Sequence, residues 1–165
     1  MPEKNPDIER LIGELKPGKS ESFMTNSISV HEVLEHLLAI TGPAVVYLMT
    51  FSISEAGVRS LAALADEGYL LRPRFLFDYT VRKNKLHLLL FANEVGTIRL
   101  ASNHAKQILI HNEAWDIVVT TSSNFNKIER WETFVIDTSL RGFGGFHEYF
   151  SRIWEESVAY EPDTD

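Results

Sequence analysis

The chain has 165 residues, about one domain's worth on ordinary size statistics, with 44% hydrophobic residues, 24% charged residues and a formal net charge of -7. That composition excludes a disordered or collagen-like chain, and the absence of cysteine excludes disulfides, thiolate catalysis and cysteine-held zinc. The negative balance opposes loose attachment of the whole surface to nucleic acid, so any polyanion has to meet a local basic pocket.

The first twenty residues, rich in Pro, Lys, Glu and Ser, read as an arm (1–20) in which Ile8, Leu11, Ile12 and Leu15 are spaced for one or two helical turns. A single domain follows over 21–160, and the acidic residues 161–165 read as a frayed tail. Ser29 to Glu32 has the S-x-x-E spacing of a capping box, and Val30, Val33, Leu34, Leu37 and Leu38 repeat at helical period until Gly42-Pro43 ends the element. The apolar run Ala44 to Phe51 predicts a strand buried on both faces. A second S-x-x-E, Ser52 to Glu55, opens a helix through Val58, Leu61, Leu64 and Ala65, and Gly68 supplies its C-terminal stop. Arg74 to Tyr79 reads as the next strand, which completes a strand-helix-strand unit of a parallel sheet. A second crossover helix is expected over Lys83 to Val95, then a short strand from Thr97 to Leu100. From His104 the pattern changes to strands with no room for helices between them: 104–111, 115–122 and 132–138. An amphipathic helix, Phe146 to Val158, closes the chain after a glycine-rich connection at Gly142, Gly144 and Gly145. The fold class is therefore α/β, a mixed sheet flanked by helices. No segment has the roughly 20 apolar residues needed to cross a bilayer, and the charged start MPEKNPDIER lacks the apolar centre of a signal peptide. A cytoplasmic protein without membrane attachment is expected.

Side chains at i and i+2 of a strand share a face, so His104 and Lys106 point together, as do Ser122 and Asn124. With Glu132 on the following strand, three neighbouring strands could converge a His, a Lys, a Ser, an Asn and a Glu. Such a set suits a phosphate: Lys supplies charge, Ser and Asn supply hydrogen bonds, and His is placed to attack phosphorus or protonate a leaving oxygen. His31 and His36, five apart on a helix, make poor joint metal ligands, and Asp78, Glu94 and Asp116 have no recognisable ligand spacing. Arg72, Arg74, Arg82, Lys83 and Lys85 form a basic cluster along the sequence that reads either as a solvated face or as a phosphate-backbone patch.

The ordered triple of H-x-K at His104 and Lys106, S-x-N at Ser122 and Asn124, and E-x-x-V-I from Glu132 resembles one half of the phospholipase D superfamily. The family pattern is H-x-K-x4-D followed by G-S-x-N. His111 stands here at the motif's Asp and Thr121 at its first Gly. The resemblance spans roughly residues 44 to 155 and implies a phospholipase D-like half domain. It implies His104 as the nucleophile that forms a phosphohistidine, Lys106, Ser122 and Asn124 as the phosphate holders, and Glu132 as the group that orients the imidazole. Neither a metal nor another cofactor is implied. Because the family's site needs two H-x-K motifs and this chain has one, the resemblance implies a homodimer with a shared site. Small members similar in this way are mostly nucleases, so a metal-independent phosphodiesterase acting on DNA or RNA is expected. The alternatives are a catalytically degenerate nucleic-acid-binding or assembly subunit of the same fold and, since no sequence feature selects the substrate, a small-molecule or lipid phosphodiesterase.

Overall fold

The computed structural model describes residues 5–126 and 130–162. Among these residues the sheet has eight strands in the order β1-β7-β6-β5-β2-β3-β4-β8. Its centre is the strand-helix-strand unit expected from the apolar runs: β2 (Ala44–Thr50), α3 (Glu55–Asp66) and β3 (Leu70–Asp78), with β4 (Thr97–Ala101) parallel beyond them. On the other side β5 (Gln107–His111) runs antiparallel to β2, followed by β6 (Asp116–Thr121) and β7 (Glu132–Asp137), all antiparallel. The mixed sheet follows from connection length. Helices fit between β2, β3 and β4, whereas the links from β4 to β5 and from β5 to β6 leave room only for turns.

The alternation of β2 divides the core. Val46 and Leu48, with Phe75, Phe77, Ile108 and Ile110, face the main cluster beneath α2 (Val30–Thr41), α3 and α5 (Leu86–Asn93). Met49, Leu76, Leu109 and Val118 face a smaller cluster closed by Phe150 of α6 (Leu140–Glu156). The capping box of α2 is present, with Ser29 Oγ accepting from Glu32 N and Glu32 Oε1 accepting from Ser29 N.

Several expectations differ from the structure. The helical turns expected in the first twenty residues are α1 (Asp7–Ile12), and they pack on the domain: Ile8 and Ile12, with Leu15 just beyond, belong to the main cluster. A strand that has no run of apolar residues, β1 (Ser20–Thr25), pairs with β7 in register from Ser20 opposite Asp137 to Thr25 opposite Glu132. The helix expected over Lys83 to Val95 is two short ones, α4 (Tyr79–Asn84) and α5, broken at Lys85, whose ψ of 42° is not helical. The cap of α3 is Ser54, which accepts from Gly57 N, and not Ser52, whose backbone is used elsewhere. Helix α6 begins six residues before the expected start, because Ser139 caps it and Asp137 approaches so closely that a Cβ on Gly142 would meet its carboxylate. A two-residue strand, β8 (Val158–Ala159), then pairs with β4 where the helix was expected to end. Residues 163–165 of the expected tail lie outside the described residues.

Candidate active site

The carboxyl ends of β2, β3 and β4 lie along the same sheet edge as the start of β5, the end of β6 and the start of β7, because β5 and β7 run against their neighbours. His104, Lys106, Ser122, Asn124 and Glu132 all belong to this edge. The expected strand from His104 begins instead at Gln107, so Lys106 lies one residue before β5 and His104 three before it, and the Lys106 carbonyl accepts from Thr121 N at 3.2 Å.

His104 is exposed and rests against Phe51, ring centroids 4.8 Å apart. Lys106 Nζ lies 3.2 Å from His104 Nδ1 and donates to the His104 carbonyl at 2.9 Å. Burial pushes the Lys106 ammonium group below its usual pKa, and the negative charge of Glu132 opposes that shift. Ser122 Oγ donates to Glu132 Oε2 and accepts from Thr133 N at 3.0 Å, which ties β6 to β7 at this end. Asn124 Oδ1 accepts from Ser52 N at 3.2 Å, so the side-chain NH2 remains to donate outward. Glu132 makes no hydrogen bond to His104 in the single chain; its partners are Ser122 and, at 3.8 Å, Arg130.

Three further residues build the edge. Asp78, at the end of β3 and 8% exposed, accepts from Thr80 N, Thr80 Oγ1 and Asn103 N. Asn103 in turn bonds both backbone groups of Ala105, at 3.1 and 3.2 Å, and so fixes the turn that carries His104. Burial pushes the Asp78 carboxyl up, but those hydrogen bonds and the charge of His104 outweigh it and hold it below the usual carboxylate range. Lys85 Nζ donates to Ser52 Oγ at 2.9 Å and to the Ile53 carbonyl at 2.5 Å, clamping the segment that holds Asn124, and its burial lowers its pKa. Asp78 stood in the sequence without ligand spacing, and Lys85 stood inside an apparent basic patch. A carboxylate ending a buried strand was the signal available for Asp78. The patch itself is dispersed: Arg74 lies over Tyr47 and Trp154, Arg82 lies over Tyr160, and Lys85 points into the site edge.

Asp78→Asn is expected to lower stability at neutral pH by about 1–3 kcal/mol, since it removes the charge and weakens a buried hydrogen-bonded group. The sign with pH follows from the depressed carboxyl. Its stabilisation is fully present above the unfolded-state value of about 3.9 and is lost as pH falls through the lower folded-state value. Denaturant titrations of parent and variant should thus differ at pH 7 and converge in acid.

No family model matches the sequence, and no curated protein matches it. Solved structures do match. Nuc from Salmonella typhimurium, a phospholipase D family member, superposes with a TM-score of 0.69 over 87% of this chain and 99% of its own, at 20% identity. The fold is that of the phospholipase D family. NucT from Helicobacter pylori matches with a TM-score of 0.65, covering 86% of this chain and 100% of its own at 16% identity. TrmBL2, an archaeal chromatin protein with a novel mode of DNA binding, matches at 0.58 and 12% identity over 93% of this chain and 58% of its own. Within the phospholipase D fold the position of the motif's Asp, here His111, is the last residue of β5, at the far end of that strand from His104. His111 Nδ1 lies 2.6 Å from Asp116 Oδ1, so this departure is absorbed away from the site edge. Among the described residues no group of three His, Asp or Glu side chains is placed to hold a metal ion, and no helix is long and apolar enough to cross a membrane.

Proposed function

We propose that the chain is a single-motif member of the phospholipase D superfamily: a cytoplasmic, metal-independent phosphodiesterase that cleaves DNA or RNA through a phosphohistidine in a site shared by two copies. The observation that carries this reading is the convergence of His104, Lys106, Ser122, Asn124 and Glu132 on one sheet edge of a phospholipase D fold.

In the free chain Lys106 Nζ faces His104 Nδ1. A lysine donating there places the neutral ring's proton on Nε2, which blocks a nucleophile, whereas the acid of the pair has to be the imidazolium, protonated on both nitrogens. A substrate phosphate competes for the same ammonium group. Once Lys106 turns to the phosphate, Nδ1 can carry the proton and donate a hydrogen bond to Glu132 in the shared site, which frees the Nε2 lone pair. His104 Nε2 of one copy then bonds phosphorus while the P–O bond to the leaving oxygen breaks, and the partner's His104, as the imidazolium, gives that oxygen a proton and becomes neutral. Water next attacks the phosphohistidine, returns a proton to the partner's His104 and releases the first imidazole. Lys106 and the Asn124 NH2 carry the charge that builds on the phosphoryl oxygens.

Pairing of two copies is supported by the apolar surface beside the site. Trp131, next to Glu132, is 64% exposed, and Met24, opposite Thr133, is 58% exposed. Desolvated aromatic anchors typically carry several kcal/mol of an interface. Trp131→Ala is expected to weaken the dimer at least tenfold in sedimentation equilibrium and to lower activity in proportion to the dimer lost.

The deciding experiment incubates the chain with end-labelled single-stranded DNA, duplex DNA and RNA in excess EDTA. Cleavage in EDTA by a dimer supports the reading. Strict dependence on added magnesium, or full activity of a monomer, overturns it. Binding without cleavage of any substrate favours the second reading, a non-catalytic nucleic-acid-binding subunit, which the likeness in fold to the DNA-binding TrmBL2 recommends.

A further inference from the structure

At the end of β5 remote from His104 a second cavity of about 350 Å³ opens between the sheet and α6, lined by Tyr47, Arg72, Leu109, His111, Phe143 and His147. The five residues of β5 lie between the His104 segment and this cavity, a strand roughly 13 Å long at about 3.3 Å per residue, so the two sites are distinct. Three independent observations distinguish the cavity from an ordinary gap at a helix edge.

The first is its backbone. The β2–β3 pairing slips between Val45 and Tyr47, with Val45 opposite Leu71 and Tyr47 opposite Arg74. Arg72 and Pro73 fill the bulge, and Arg72 has φ 49°, making it the single non-glycine residue with positive φ among the described residues. Bulges re-aim side chains, and a left-handed arginine costs about 1–3 kcal/mol that packing elsewhere has to offset. The second is the cation itself. Arg72 is exposed and has no hydrogen bond, ion pair or ring contact among the described residues, whereas neighbouring Arg74 is stacked on Tyr47 and Trp154. The third is a row of rings. Tyr47 stacks with His147 (6.0 Å, 25°), His147 with Phe143 (5.6 Å, 19°), and Phe143 tilts against His111 (5.7 Å, 32°). His111 has its Nδ1 on Asp116, which leaves Nε2 as its remaining polar atom, and His147 has ring contacts alone.

The geometry points to a binding site for a nucleoside monophosphate, its base on the ring row and its phosphate between Arg72 and the two imidazoles. A guanidinium fork matches a phosphate in two parallel hydrogen bonds, and near-parallel rings offer a flat apolar face to a base. The volume falls at the lower end of the range of small-ligand pockets, about 300–1,000 Å³. The nucleotide can be free or the terminal residue of a strand. This inference stands apart from the chemistry proposed for His104, because it uses none of the same residues.

The test is side-chain NMR of the His104→Ala chain titrated with AMP, adenosine, inorganic phosphate and a 5′-phosphorylated oligonucleotide. AMP should shift the ring signals of Tyr47, Phe143 and His147 saturably, with adenosine and phosphate each at least tenfold weaker. Arg72→Asn keeps a residue tolerant of positive φ while removing the guanidinium, and it should weaken AMP by about ten- to a hundredfold. His147→Phe, which keeps the stack and removes the ring nitrogens, should weaken it less. If the oligonucleotide saturates at lower concentration than AMP, the site takes a strand end; if AMP is the tighter, it takes the free nucleotide. Equal affinity in Arg72→Asn and parent, or no shift at the three rings, overturns the assignment. Cleavage by an Arg72→Asn chain that retains His104 separates the two proposals, since failure of one leaves the other standing.

Discussion

His104→Ala is expected to reduce phosphodiester cleavage by at least about 10⁴-fold while leaving the fold as stable as the parent. In the shared site proposed above, one substitution removes both the nucleophile and the acid, since each is a copy of the same residue. General acid catalysis alone is worth about 10²–10⁴, and loss of a nucleophile generally costs more. Stability is spared because His104 is exposed and its principal packing contact is the face of Phe51. Surface substitutions of this kind stay within about 0.5 kcal/mol. Initial rates with a labelled oligonucleotide, alongside a thermal melt, check both halves. Mixing variant and parent chains sharpens the result, because each heterodimer keeps one imidazole where two are required.

Phe125→Ala is expected to cost about 3–5 kcal/mol, the usual range for emptying a fully buried phenylalanine site. Phe125 is 0% exposed, its N donates to the Ser52 carbonyl at 3.2 Å, and its carbonyl accepts from Ser54 N at 2.9 Å. Its ring lies against Gly57 of α3, where a Cβ would come within 2.6 Å of Phe125 Cδ1. The same residue therefore locks Asn124 beside Ser52 and sets the approach of α3. Denaturant unfolding should show the stability loss, and cleavage should fall in conditions where the variant is still folded, because Asn124 loses its anchor. Gly57→Ala perturbs the contact from the other side and should cost about 1–3 kcal/mol by overpacking. A Phe125→Ala chain as stable as the parent would show that the Asn124 segment is held by its hydrogen bonds alone.

The central part of this architecture was readable from residue patterns. Ala44 to Phe51 and the helix after it stand out because strands buried on both faces are continuous apolar runs, and because α2 carries a capping box at Ser29 and Glu32. Strand β1, with the sequence SESFMT, was invisible because an edge strand half open to water needs no apolar run, and its pairing with β7 is long-range. The S-x-x-E at Ser52 misled for a specific reason. The local rule finds a cap, but the Ser52 N–H is consumed by Asn124 and its hydroxyl by Lys85, so the cap moves to Ser54. The candidate site residues His104, Lys106, Ser122, Asn124 and Glu132, which share one sheet edge, were legible as a motif, whereas Asp78, Asn103 and Lys85 were not. Those three act on backbone groups brought near by folding, and no spacing in one dimension records that.

The pairing of β1 with β7 also bears on synthesis. Among the described strands β1 is made before the others, yet it flanks the strand that begins with Glu132, roughly a hundred residues later. At about 5–20 residues per second, β1 waits for at least several seconds before its partner leaves the ribosome. During that interval its backbone donors and acceptors are open to any other nascent copy, a hazard that strand edges share generally. Ser20, Glu21 and Ser22 at its start are suited to that wait, being polar enough to discourage premature pairing. The last carboxylate of the candidate site is thus flanked by the earliest of the described strands, so the order of translation makes this sheet edge one of the final features to mature.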